Sequence, residues 1–311
     1  MKTYHECLAC FVNQALGSLR RCGASDGQIT HAMRAVLHEL AAVDYAASPP
    51  VMGSAVYRII RTAVRNNDPY AHDKRRFNAF AQTLLEEVRA GADSSADPFG
   101  AKIALAIAAN IIDSGKNGDL TEIDVRKCFG RIADTPVDRA AVTSLRIAVE
   151  KAGSILFLCD NAGEIVFDRF LIESMPRDKI ICAVRGAPVI NDATMDDAET
   201  TGLTGVVSVI PNGSDAPGTV LAECSQDFRR AFTDADLVIA KGQGNFETLS
   251  ATTGKRIFYL LQVKCTVTAR DVGLPVGSFA VIDSDTLACC AATQASTAKR
   301  RTRQRSAYAP R

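Results

Sequence analysis

Six short runs of apolar, largely β-branched residues recur in the second half of the chain: Ile155–Cys159, Ile180–Val184, Val206–Ile210, Leu237–Ala240, Ile257–Leu261 and Phe279–Ile282. Each is apolar at successive positions rather than alternately, the pattern of a strand covered on both faces. Helix-like segments lie between them, among them Ile165–Ser174, Met195–Thr201 and Val220–Phe232. Strand and helix in alternation restrict this region to an α/β fold, a mainly parallel sheet wrapped by helices.

The first part of the chain reads as helix. Leu8, Phe11, Val12, Ala15, Leu16 and Leu19 recur at helical spacing, and similar patterns follow over 29–43, 56–64 and 77–88. Turn signals separate them, at Cys22–Gly27, Ser48-Pro49-Pro50 and Asn66–Pro69. The polar stretch Gly91–Pro98 is the expected boundary. The predicted organisation is a helical subdomain over 1–98, an α/β domain over 99–290 that opens with two more helices, and a tail over 291–311.

Charge and composition exclude several classes. The net charge is +1, but the last 21 residues hold six basic side chains and no acidic one, so the body is mildly acidic. A nucleic-acid-binding domain carries its basic patch on the folded surface, so nucleic acid is not an expected partner. The tail is expected to be disordered, with weak contacts to acidic surfaces at most. No apolar run reaches the roughly 18 residues of a membrane helix, and the first residues show no signal peptide. The expectation is a soluble, cytoplasmic protein. Ten cysteines in such a chain read as reduced thiols rather than a disulfide framework. Cys7-Leu8-Ala9-Cys10 lacks the second pair of a zinc site, which favours packing over metal binding.

In open α/β sheets, ligands bind beyond the carboxyl ends of the strands. The residues there are Asp160-Asn161-Ala162-Gly163-Glu164 with Asp168, Arg185-Gly186 through Asn191-Asp192, Pro211–Thr219, Lys241-Gly242-Gln243-Gly244-Asn245, and Lys264-Cys265. Asp160-Asn161 alone reads as a turn or a metal-binding pair, and Asp192 alone as a helix cap. Together they favour one metal held by Asp160, Asn161 and Asp192. All four histidines (His5, His31, His38, His72) precede the α/β region, so oxygen ligands and a hard cation are expected. The loop beginning Lys241-Gly242 resembles a phosphate cradle without being a Walker sequence. Lys264 ends an apolar run, where a lysine is well placed if it meets an anion.

In order, Asp160–Glu164 with Asp168, Pro188–Thr194, Lys241–Glu247 and Lys264-Cys265 resemble the metal-dependent damage-control phosphatases, formerly a domain of unknown function. The resemblance is to the prokaryotic branch and extends over most of 4–285. It takes in Cys7–Cys10, Asn67–Tyr70 with Lys74 and Asn78, and Asn110–Asp113. Ala109 departs from it, standing where the family carries glycine. The resemblance implies a three-layer α/β/α domain with a helical N-terminal part, metal on Asp160, Asn161 and Asp192, and phosphate on Lys264. Asn110 and Asp113 would line the site from the helical side. It further implies hydrolysis of small phosphorylated metabolites with Mn²⁺, Mg²⁺, Co²⁺ or Ni²⁺.

The candidate roles are then catalytic for Asp160, Asn161, Asp192, Lys264 and Glu164, the last as a proton-handling group four residues after Asp160. Asn110, Asp113, Gly186, Lys241, Gly242 and Asn245 are candidates for substrate binding. Attack by water is favoured over an aspartyl-phosphate on Asp160, because a metal-bound carboxylate is a poorer nucleophile. Two rival readings use the same pocket: a carboxyl methyltransferase and a non-enzymatic sensor of phosphometabolites.

Overall fold

The computed structural model describes residues 1–112 and 137–287, and between them 125–127, 129 and 132. Asp113 and the basic tail lie outside the described residues. The six expected strands form one sheet: β1 (Ile155–Leu158), β2 (Ile180–Val184), β3 (Ser208–Pro211), β4 (Leu237–Lys241), β5 (Ile257–Gln262) and β6 (Phe279–Asp283). Their order is β3-β2-β1-β4-β5-β6. Ile155 pairs in parallel register with Ile180 on one side and Leu237 on the other, and β6 runs antiparallel to β5. Strand β3 begins two residues later than expected, because Leu203–Gly205 form a 3-10 turn that Val206 closes. As an edge strand it is half-exposed and needs no continuous apolar run.

The helices before the sheet are α1 (His5–Arg21), α2 (Asp26–Ala41), α3 (Pro49–Val64), α4 (Ala71–Asp93), α5 (Pro98–Ala108) and α6 (Arg139–Lys151). Those within it are α7 (Glu164–Ile172), α8 (Met195–Thr200), α9 (Gln226–Asp234), α10 (Gly242–Leu249) and α11 (Thr266–Val272). Their starts follow local chemistry. Ser25 and Gln28 form a reciprocal capping box on α2, and proline opens α3 and α5.

Period-two alternation sorts the strand residues between two faces. Phe157, Ile239, Phe258 and Leu260 face a core completed by α4, α5, α6 and α7. Leu156, Leu158, Val238, Tyr259 and Leu261 face the other, completed by Phe228 and Phe232 of α9 and Phe246 and Leu249 of α10. A third core lies among α1–α3, with Phe11, Leu19, Val36, Tyr57 and Ile60, and it takes in Val189 from the loop after β2.

The expected boundary near residue 98 does not coincide with a change of core. Phe77, Ala81, Leu84 and Leu85 of α4 are buried in the same core as the sheet. The sequence pattern of α4 was that of any amphipathic helix, and nothing in its spacing says which core it covers. We propose that the subdomain with its own core is α1–α3, and that α4 is the first helix of the sheet's outer layer. The two units meet where α3 packs on α10. Arg58 and Arg61 of α3 also pair with Asp215 in the loop after β3, and Glu6 of α1 pairs with Arg270 of α11.

This assignment has a measurable consequence. Leu84→Ala, at a fully buried position, is expected to cost about 2–5 kcal/mol. The loss should lower the main unfolding transition of the sheet in urea, monitored by near-ultraviolet circular dichroism. A separate early transition with the sheet's midpoint unchanged would contradict the assignment.

Candidate active site

The strand order reverses between β1 and β4, the position at which open α/β sheets bind ligands. Asp160 and Asn161 follow β1 directly, and Gly242 follows β4. The two loops are pressed together. A β-carbon at Gly242 would sit 1.8 Å from Asp160 Oδ2, and its φ of +76° is a conformation suited to glycine. Glycine at 242 therefore serves close approach to Asp160. The loop after β2 is tied to the same place by backbone: Ala193 donates to the Asp160 carbonyl, Ala162 to the Asn191 carbonyl, and Asn161 pairs with Asp192 in an isolated antiparallel bridge. Within that loop Ile190 is held at a φ of +46°, unusual for a β-branched residue and costing of order 1–3 kcal/mol.

Beneath these loops lies a sealed polar network. Lys241, fully buried, donates from Nζ to Glu164 Oε1 (2.5 Å), Asp168 Oδ1 (2.6 Å) and the Ala106 carbonyl (2.9 Å). Glu164 Oε2 accepts from Asn110 Nδ2 at 2.6 Å and Asn161 Nδ2 at 3.1 Å. The same two amides donate to Asp160 Oδ2, at 3.2 and 2.9 Å. On the other side Arg185, 2% exposed, donates from Nε to Asp192 Oδ2 at 2.5 Å, from Nη2 to Asp160 Oδ1 at 3.3 Å and from Nη1 to Asn245 Oδ1 at 3.4 Å. Asn245 in turn donates to the Lys241 and Cys159 carbonyls. Burial holds the Asp160 carboxyl well above the usual range, reinforced by Glu164 and Asp192 and opposed by Arg185 and Lys264. Burial likewise pushes Asp168 up to about 7 against the pull of Lys241.

Above the network opens a cavity of about 580 Å³. Asp160, Asn161, Asn191, Asp192 and Lys264 line its floor side, and Glu6, Phe11, Asn13 and Gln14 of α1, with Pro49, Pro50 and Gly53 of α3, line the opposite side. Of the residues singled out from sequence, Asp160, Asn161, Asp192 and Lys264 share this wall. Glu164, Asn110, Lys241 and Asn245 stand behind it, with no surface on the cavity. Gly186 lies to the side, where a β-carbon would be 2.4 Å from the Cα of Gly213, so it packs the loops after β2 and β3 together.

The wall suits a hard cation. Asp160 and Asp192 offer carboxylate oxygens and Asn161 an amide, and the buried Asn110 Oδ1 beside Asp160 has no hydrogen-bond partner. Among the described residues no three His, Cys, Asp or Glu side chains gather as a metal cluster, so the donor set is two carboxylates and an amide. The sequence reading passed over Arg185. The signal was present: a strong cation closing a buried strand, the reasoning applied to Lys264.

The chain matches the family model described as "Damage-control phosphatase ARMT1-like domain" over residues 3–278. It is 32% identical over 288 residues to a damage-control phosphatase of Pyrococcus horikoshii, covering 89% of this chain and 96% of that protein. It is 33% identical over 237 residues to a damage-control phosphatase of Archaeoglobus fulgidus, covering 73% and 79%. An uncharacterized protein of Methanocaldococcus jannaschii is 33% identical over 290 residues, covering 89% and 94%. The crystal structure of a DUF89 family protein from P. horikoshii superposes with a TM-score of 0.81 at 31% identity, covering 91% of this chain and 99% of that one.

The raised Asp168 has a sign that can be tested. Its folded-state pKa of about 7 lies above the ordinary 3.8, so the folded protein holds a proton that the unfolded chain releases, and stability falls as pH rises from 3.8 to about 7. Asp168→Asn removes this contribution. Urea midpoints at pH 5 and pH 8 are expected to differ less in the variant than in the wild type. An equal difference in both would exclude Asp168 as a source of the slope.

Proposed function

The chain belongs to the damage-control phosphatase ARMT1-like family, and from that premise we propose that it is a metal-dependent phosphatase that hydrolyses phosphate monoesters of small metabolites. One observation carries the metal dependence. Among the described residues, the connected buried network sets four carboxyls, Asp160, Glu164, Asp168 and Asp192, against two cations, Lys241 and Arg185. With all four ionised that is a formal deficit of two positive charges, one at Lys241 between Glu164 and Asp168 and one at Arg185 between Asp160 and Asp192, the second of which meets the cavity. A dianionic phosphate would be repelled there, and a divalent cation removes the conflict.

In this reading Asp160, Asn161 and Asp192 hold the cation, which supplies Lewis-acid polarisation of the phosphoryl group. Lys264, on the same wall, pairs with a phosphate oxygen. Its charge already reaches the site, since it counts among the influences that favour ionised Asp160. Both Asp160 oxygens are engaged, by Arg185 on one side and the Asn110 and Asn161 amides on the other. That supports attack by water on phosphorus, with the P–O ester bond breaking to release the alcohol and inorganic phosphate. Glu164 has both oxygens bound and no surface on the cavity, so its role is to orient Asn110 and Asn161 rather than to exchange protons with substrate. The residues of α1 and α3 across the cavity would select the organic part of the ester. Among the described residues no helix is long and apolar enough to cross a membrane. We take the working environment to be the cytoplasm.

Phosphate release from a panel of sugar phosphates, nucleotides and p-nitrophenyl phosphate, with EDTA or with added Mn²⁺, Mg²⁺, Co²⁺ or Ni²⁺, tests the reading. Turnover is expected with at least one metal and none with EDTA, and Asp192→Ala should lower it by at least about 100-fold, the scale of losing transition-state charge stabilisation. Binding of the esters by folded protein without release under any condition would replace the phosphatase by a sensor.

A further inference from the structure

Arg185 closes β2 with its side chain buried and its three nitrogens on three different segments: Asp160 after β1, Asp192 in the loop after β2, and Asn245 on α10 after β4. Its backbone N–H donates to the Ala193 carbonyl at 2.9 Å, so main chain and side chain brace the same loop. A guanidinium can do this because its donors are fixed in one plane and point apart. An ammonium is a single compact centre and cannot span two carboxylates and an amide at these positions.

We propose that Arg185 is the positioning residue of the cation site: it fixes the separation of the Asp160 and Asp192 carboxyl groups and the rotation of each, so that both meet the cavity in an arrangement ready for a divalent cation. The inference rests on the metal-dependent reading above. Two like charges buried close together otherwise separate or take up protons. Arg185 opposes the separation by holding one oxygen of each carboxyl. It does not line the cavity, which separates its work from that of Lys264. Arg185 acts on the ligands of the cation, not on the phosphate.

The same geometry makes a prediction about loss. Changing a residue that orients a metal's ligands lowers metal affinity roughly 10- to 100-fold. Isothermal titration of the full chain with Mn²⁺ is the direct readout, with thermal unfolding in EDTA as the control for folding. Arg185→Lys keeps a positive charge and should still unfold cooperatively, yet bind Mn²⁺ at least about 10-fold more weakly. Its KM for the best ester, measured at saturating Mn²⁺, should stay near the wild-type value. Folded Arg185→Lys with wild-type Mn²⁺ affinity would overturn the proposal while leaving the phosphatase reading intact. So would a KM raised in step with the loss of activity at saturating metal, which is the mark of a phosphate-binding residue. Wild-type protein that binds no Mn²⁺, Mg²⁺, Co²⁺ or Ni²⁺ would sink the metal reading and this inference together. Should Arg185→Lys fail to fold, Arg185→Ala titrated with Mn²⁺ in the presence and absence of methylguanidinium replaces it. Recovery of affinity with the added cation supports the positioning role, and folded protein that shows no recovery refutes it.

Discussion

The structure depends on Lys241. A lysine ammonium with no exposure to water is tolerated only when its charge is met and its donors are filled. Here all three N–H groups are taken, by Glu164, Asp168 and the Ala106 carbonyl. Those partners come from α7 and α5, so the end of β4 is pinned to the helices covering one face of the sheet. That pin sets where Glu164 sits. Glu164 then sets the two amides, Asn110 and Asn161, that hold Asp160. The position of the candidate ligand is therefore determined one layer below it.

From this follows a division between depth and surface. At depth Lys241 faces Glu164 and Asp168, and where the network reaches the cavity Arg185 faces Asp160 and Asp192, so each buried cation is outnumbered two to one. Arg185 and Lys241 flank that point from opposite sides, each at the end of a strand, and each satisfies carboxyls that would otherwise repel. The acidic floor is what remains after they have done so. In a low-dielectric setting such a remainder is a strong preference for a small cation and against a bare phosphate dianion.

Much of this was legible in the residues. The six apolar runs and the helices between them announced the sheet, because a strand buried on both faces has few alternatives. Polar residues after each run pointed to one edge, and Asp160, Asn161, Asp192 and Lys264 do share a wall. Local pattern could not distinguish lining from support. Glu164 follows its strand as Asp160 does and Lys241 ends its own, yet the first turn of α7 carries Glu164 inward, and Lys241 points to the α5 side. Gly242 and Gly186 are glycines for reasons of contact, with Asp160 and Gly213 respectively, and contact between distant loops leaves no mark in spacing. The same holds for α4, whose apolar stripe fits either core. Arg185 was named after its strand but given no role, although a strong cation ending an apolar run was the cue already used for Lys264; its burial is what makes the role plain.

The cavity has two walls of different origin. One is the sheet's edge, where Asp160, Asn161 and Asp192 are tied into a shared hydrogen-bond network and a change at one position disturbs several others. The other is α1 and α3, whose cavity-facing residues Phe11, Asn13, Gln14 and Pro50 take no part in the buried charge network. Substitutions on that side can reshape the space offered to the organic part of a ligand while the reacting end is left alone. A chain built this way can shift its preference among related compounds by small steps, inheriting its chemistry unchanged while its selectivity drifts.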